Sequence, residues 1–278
     1  MAPPTLSSQP PPTQHCLLSY PSPYVLLVTL NRPKELNCIN MAGHAELGEV
    51  FAWLDREPAL RVGIITGAGR AFCAGADLKE WNASNSSSDK PRPAVGAAGF
   101  GALSRRSGLK PVIAAVNGLA FGGGCEMVIN ADMVVAGPKA AFALPEVKRG
   151  VVALAGALPR LVRTVGRQRA MEMALTGRTV PAGEAREWGL VNTVVGEGEG
   201  EVVREAVRLA EMVVENSPDA VIVTREGVKM GWDGVGAEDA TRIWGESWYP
   251  RLLAGDNLKE GVLAFVEKRK PNWKAPKL

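Results

Sequence analysis

Residues 118–136 read GLAFGGGCEMVINADMVVA. A short apolar run enters three consecutive glycines, the next residues repeat at helical spacing, and the stretch closes on a β-branched run. This is the pattern of strand, tight turn, short helix and strand. Inside the apolar part stands one carboxylate, Glu126. Buried and unpaired, such a group costs several kcal/mol or gives up its charge, so it is either satisfied by its surroundings or used chemically.

The same alternation continues outward. PVIAAVNGLAFG (111–122), RVGIITGAG (61–69) and YVLLVTLNR (24–32) read as strands, and NMAGHAELGEVFAWLDRE (40–57) reads as a helix capped by Asn40 and stopped before Pro58. Strands alternating with helices imply an α/β core with parallel pairing. From about Arg167 the periodicity is helical, in RQRAMEMALTG, AGEAREWG, EVVREAVRLAEMVVENS and NLKEGVLAFVEKRK. The expected organisation is therefore a Pro/Ser-rich disordered tail over 1–20, an α/β core over 21–195 and a helical region over 196–278. Residues 82–107 are polar, small and Gly/Pro-rich, and a loop that long inside a compact domain is functional or disordered.

Composition narrows the chemistry. With 46% hydrophobic residues in 278, the chain can bury a large core. Its 32 basic and 29 acidic residues are interspersed, which argues against a nucleic-acid or membrane-surface partner. No apolar run reaches the roughly 18 residues of a membrane helix. The opening MAPPTLSSQPPPTQH shows neither part of a secretory signal, and the first basic side chain is Arg32. Cys16, Cys38, Cys73 and Cys125 have no metal-ligand spacing and are expected as reduced thiols, so no metal is expected. Only His15 and His44 exist, the first in the tail and the second on an ordinary helix, which disfavours triad hydrolases and zinc enzymes. Carboxylates and backbone dipoles are left as tools.

Two glycine-rich sites invite a phosphate reading. ITGAGRAFCAG has Phe72 where a dinucleotide fingerprint needs its third glycine, and no P-loop lysine follows. Gly122-Gly123-Gly124 lie where a strand hands over to a helix, which supplies half of an oxyanion hole.

FCAGADLKE (72–80), GLAFGGGCEMVINADMVVA (118–136), FALPEVKRGVV (142–152), ALTGRTVPAGEAREWGLVN (174–192) and AFVEKRKPNW (264–273) resemble, in order, the enoyl-CoA hydratase/isomerase or crotonase family. The resemblance implies a crotonase-like spiral of ββα units with a helical C-terminal region. It implies an oxyanion hole from the Ala76 and Gly123 amides and catalysis by Glu126 and Glu146. Coenzyme A enters as part of an acyl-CoA thioester substrate, with no separate cofactor. It would lie along Ala74, Ala76, Asp77, Leu78 and Lys79, with Phe265 and Lys268 reaching it, often from a neighbouring subunit of a homo-trimer or hexamer.

A thioester polarised at its oxygen holds enolate charge, so two carboxylates of different protonation state can add water across the 2,3 double bond or remove it. In hydration Glu126 activates the water and protonated Glu146 supplies the Cα proton. Alternatives are a Δ3,Δ2-enoyl-CoA isomerase, a CoA-thioester hydrolase or decarboxylase, and a silent relative that binds CoA or RNA. Many hydratases carry PGAGG after the second glutamate; this chain reads VALAGAL (152–158), where Leu154 is expected to alter the acyl pocket. A hydratase or dehydratase of fungal siderophore or other secondary metabolism fits as well as fatty-acid β-oxidation. Asp77 could simply cap a helix, and Cys125 reads as a core residue. The final Pro276-Lys277-Leu278 resembles the Ser-Lys-Leu signal read by the peroxisomal import receptor, so a peroxisomal address is expected, otherwise a cytoplasmic one.

Overall fold

A computed structural model describes residues 5–85 and 96–278. Its strands are β1 (Cys16–Ser22), β2 (Val25–Leu30), β3 (Val62–Gly67), β4 (Ala71–Cys73), β5 (Val112–Val116), β6 (Leu119–Phe121), β7 (Met133–Ala136), β8 (Ala141–Ala143), β9 (Val180–Pro181) and β10 (Thr193–Val194). Six form one sheet in the order β1-β2-β3-β5-β7-β10, and four form a second in the order β4-β6-β8-β9. All pairs are parallel except β1 with β2 and β8 with β9. Successive strand pairs β3/β4, β5/β6 and β7/β8 each send their first strand to the large sheet and their second to the small one. Helices α1 (Met41–Arg56), α2 (Leu78–Asn85) and α3 (Gly123–Ile129) follow the first three turns of this winding. The result is the expected spiral of ββα units.

Burial explains the strand sequences. Every residue of β3 and β5 is buried, as parallel strands covered on both faces require. The inner face holds Leu26, Val28, Ile65, Val112, Ala114 and Val116 in the main core with α1 and α3. The other face, Val25, Val62, Ile64, Ile113, Ala115 and Val135, is sealed by Val202, Ala206 and Ala210. These three lie on α7 (Glu201–Val214), which follows α4 (Ala157–Val165), α5 (Arg167–Thr176) and α6 (Ala182–Glu187). The chain finishes with α8 (Pro218–Trp232), α9 (Ala237–Ser247), α10 (Tyr249–Ala254) and α11 (Asp256–Val266). A boundary at 195/196 therefore cuts through sheet packing, because α7 belongs to the core it covers.

Two expectations are corrected and a third is refined. Within the tail assigned to 1–20, residues 5–20 are placed rather than disordered: β1 begins at Cys16, and Ser7 and Ser8 donate backbone and hydroxyl hydrogens to Glu57 at 2.7–3.1 Å. Glu46 likewise accepts from the backbone of Gln14, His15 and Cys16. Two carboxylates of α1 and the residue after it thus supply what apolar area does not. Next, 111–122 is two strands in two sheets, not one. The Asn117 side chain accepts from Gly67 N and donates to Gly69 O, which ends the β5 ladder. Finally, the 82–107 loop ends in packed structure: Phe100, Leu103, Ser104 and Arg106 are buried. Its middle, 86–95, lies outside the described residues. All four cysteines are free.

Candidate active site

Two turns meet at the mouth of the spiral. The first joins β4 to α2 through Gly75, whose φ of 101° favours glycine. A Cβ there would lie 3.0 Å from Phe121 O and 3.5 Å from Gly123 N, so this turn rests directly on the start of α3. Ile39 holds it from behind: Ile39 N donates to Gly75 O at 2.9 Å and Asp77 N to Ile39 O at 3.1 Å. That bridge turns the Ala76 N–H to the opposite side. Gly123 opens α3, where the first N–H groups have no intrahelical acceptor. Among the described residues, neither the Ala76 nor the Gly123 N–H has a hydrogen-bond partner.

Both carboxylates converge on the same helix start. Glu126 sits in the first turn of α3, 4% exposed, and its Oε1 accepts from Ala157 N at 3.2 Å at the head of α4. Burial pushes its pKa up to about 7, against the amides of Ala157 and Ala155 and with help from the charge of Glu146. Glu146 lies in the 3-10 turn Pro145–Arg149, and its Oε1 is 3.1 Å from where a Cβ on Gly122 would be. Burial raises its pKa as well, and its Oε2 is buried without a partner among the described residues. Near neutrality such a pair holds on to a proton, which is what an acid and a base working on one water need.

Residues 22–276 match the family described as enoyl-CoA hydratase/isomerase. The chain belongs to the enoyl-CoA hydratase/isomerase family. It is 55% identical to the mevalonyl-coenzyme A hydratase SIDH of Beauveria bassiana, over 99% of this chain and 100% of that one. It is 40% identical to the carnitinyl-CoA dehydratase of Proteus mirabilis over 90% of this chain and 95% of that one. Among solved structures, an enoyl-CoA hydratase from Mycobacterium tuberculosis H37Rv superposes with a TM-score of 0.84 at 36% identity, covering 94% of this chain and 98% of that one. The chain is thus a hydro-lyase on the crotonase fold.

This membership sets the other named residues in context. Ala74 N donates to Leu36 O, and Leu78 and Lys79 are exposed on the first turn of α2. Asp77 is occupied structurally: it accepts from Arg32 at 2.9 Å and from Lys79 N at 3.2 Å, an ion pair and a helix cap. Phe265, 86% exposed, is the next-to-last residue of α11, and Lys268 lies just beyond the helix with φ 56°. Since α11 packs on α8, no hydrogen bond among the described residues ties Phe265 or Lys268 to the Ala74–Lys79 stretch of the same chain. Leu154 is 82% exposed between buried Ala153 and Ala155. Cys125 is fully buried beside both glutamates, and burial followed by their charges raises its thiol pKa, as suits a core residue.

One group at the site escaped the sequence. Phe100 packs its ring against Gly123 so closely that any side chain at 123 would overlap it, and His44 meets that ring edge-on with centroids 4.6 Å apart. Phe100 lies in the stretch that read as polar loop, and no spacing marked it.

Proposed function

We propose that this enzyme interconverts mevalonyl-CoA, a 3-hydroxy-3-methylacyl thioester, with the 2-enoyl-CoA formed by loss of water. The observation that carries this reading is the 55% identity, end to end, with a mevalonyl-coenzyme A hydratase. In the dehydrating direction the Ala76 and Gly123 amides bind the thioester oxygen, and the enolate charge grows where their unpartnered N–H groups point. Glu146 takes the Cα proton, and Glu126 returns a proton to the departing C3 hydroxyl, which leaves as water. Hydration runs the same steps backwards, with Glu126 activating the water. Before dehydration the shared proton sits on Glu126, whose pKa burial raises to about 7, and Glu146 is the base; before hydration it sits on Glu146, and the amide that Ala157 offers Glu126 supports the charged form.

Isomerisation of a 3-enoyl-CoA needs one carboxylate, so two converging ones favour water chemistry. The CoA moiety is proposed to follow Ala74, Leu78 and Lys79, with Phe265 and Lys268 of a second copy closing over it. Support comes from the outward apolar end of α11, where Val262, Phe265 and Val266 are 61%, 86% and 71% exposed. A trimer or hexamer would cover them. A peroxisomal address is proposed from Pro276-Lys277-Leu278. Lys277 N bonds Asp219 at 3.1 Å and its ammonium bonds Asp256 at 2.7 Å, so receptor capture has to release both.

Purified protein should form the conjugated enoyl thioester from mevalonyl-CoA, followed by ultraviolet absorbance, faster than from straight-chain 3-hydroxybutyryl-CoA. Preference for the straight chain would overturn the substrate, and turnover of 3-enoyl-CoA alone would overturn the water chemistry.

A further inference from the structure

His44 sits in the first turns of α1, and a single contact fixes its protonation. Gly101 N donates to its Nδ1 at 3.0 Å. A backbone N–H can only donate, so Nδ1 carries no hydrogen and the ring proton is on Nε2. Burial favours this neutral form, lowering the imidazole pKa against the opposing charge of Glu80. Among the described residues Nε2 has no hydrogen-bond partner, nor is it a sealed, unsatisfied atom. His44 therefore presents an outward N–H of fixed direction.

One aromatic ring links that side chain to the oxyanion site. The ring it touches edge-on, Phe100, lies on Gly123, whose amide faces the thioester oxygen in the mechanism above. The segment between them is rigid. Phe100 N donates to Ser104 Oγ, which donates to Ala155 O, both at 2.7 Å, and Ala155 stands two residues from the amide that Glu126 accepts. Gly101 has φ 57°, and a side chain there would overlap Met127. Opposite lies the Ile39 edge that braces Ala76. Phe100, Gly101 and His44 thus form one packed unit beside the Gly123 amide.

We propose that His44 is a specificity-determining residue whose Nε2–H donates a hydrogen bond to a hydroxyl on the distal carbon of the acyl group. This rests on the mevalonyl-CoA reading, in which C5 carries a primary alcohol that straight-chain enoyl-CoA substrates lack. A neutral donor suits this neutral group. An imidazolium would instead lose the Gly101 contact and pull on any nearby anion.

Two shape-related variants separate donation from support of Gly101. H44N keeps an oxygen where Nδ1 accepts from Gly101 and removes the Nε2 donor; H44Q places an amide N–H near Nε2 and gives up the Nδ1 acceptor. The readout is the ratio of kcat/KM for mevalonyl-CoA to that for 3-hydroxy-3-methylpentanoyl-CoA, which differs only by the distal hydroxyl. The wild type should favour the former, H44N should lower the ratio about tenfold to a hundredfold, and H44Q should retain most of it. The reverse order, H44Q impaired and H44N spared, would show that His44 only holds Gly101 and would overturn the proposal. Equal loss on both substrates, or a wild-type ratio near one, would do the same with the hydratase reading intact. Turnover of neither branched substrate by a wild type active on crotonyl-CoA would instead remove the mevalonyl-CoA reading, and this proposal with it.

Discussion

Replacing Glu126 with glutamine should stabilise the protein while disabling it. The carboxyl is 4% exposed, and burial moves its pKa from 4.5 to about 7. The folded chain therefore binds this proton more tightly than the unfolded chain does. Below about 4.5 both states hold it; as the pH rises towards 7 only the folded state does, and unfolding then releases a proton. Stability falls across that window and stays low above it. A shift of this size corresponds to about 3 kcal/mol at full ionisation. E126Q keeps the volume and an oxygen for Ala157 N, yet has no charge to desolvate. Urea unfolding of substrate-free protein over a pH series should give coincident stabilities at low pH and a variant more stable by up to about 3 kcal/mol at pH 8, or roughly 5 °C or more in Tm. Repulsion from Glu146 is one of the causes of that raised pKa, so its relief is already contained in the figure of about 3 kcal/mol. A variant less stable than wild type at pH 8 would show that Glu126 is a satisfied structural anion, and the case for its chemistry would fall.

E126Q and E146Q should each lower kcat by about 10²- to 10⁴-fold with KM little changed, and the double variant should be scarcely worse than the worse single one. Steady-state kinetics on the three proteins checks this, and additive losses would break the shared-water mechanism. Because hydration and dehydration both need one proton on the pair, kcat/KM should fall in both directions as the pH rises past about 7. A rate flat across that range would exclude Glu126 as the titrating group. Glu57, held by Ser7, Ser8 and Ala59, has its pKa lowered to about 2; burial opposes that shift and the hydrogen bonds outweigh it. Its contribution is present above about 4.5 and lost as the pH falls towards 2, so Glu57→Ala should free residues 5–15 to proteolysis at neutral pH while leaving turnover intact.

The sequence disclosed what local patterning controls. Strand periodicity, the Asn40 cap and the strand-to-helix passage at Gly122–Gly124 all involve neighbours in the chain, and the structure places them as expected. It was silent where the partner is distant. The Pro-rich start is ordered by Glu57 and Glu46, some 30 to 50 residues away, and no composition rule for disorder counts such contacts. Phe100 was hidden for a related reason: it reaches Gly123 only because Ser104 and His44 fix a glycine-rich bend that reads locally as loop.

The legible and hidden parts divide the chemistry between them. Backbone amides that hold a thioester enolate, and the carboxylates that move its protons, act through short local strings, so residues such as Gly123 and Glu126 are recognisable in the sequence. What separates one acyl group from another must lie beyond the enolate, and on the His44 proposal it includes the imidazole held on the Phe100–Gly101 bend. That unit is assembled from α1 and a bend over fifty residues later, joined by one hydrogen bond. A change at either end can alter the acyl group accepted without touching the catalytic strings. The His44 variants bear on this division directly: if discrimination between the distal alcohol and its deoxy analogue survives loss of the Nε2 donor, selectivity must lie in another part of the acyl channel.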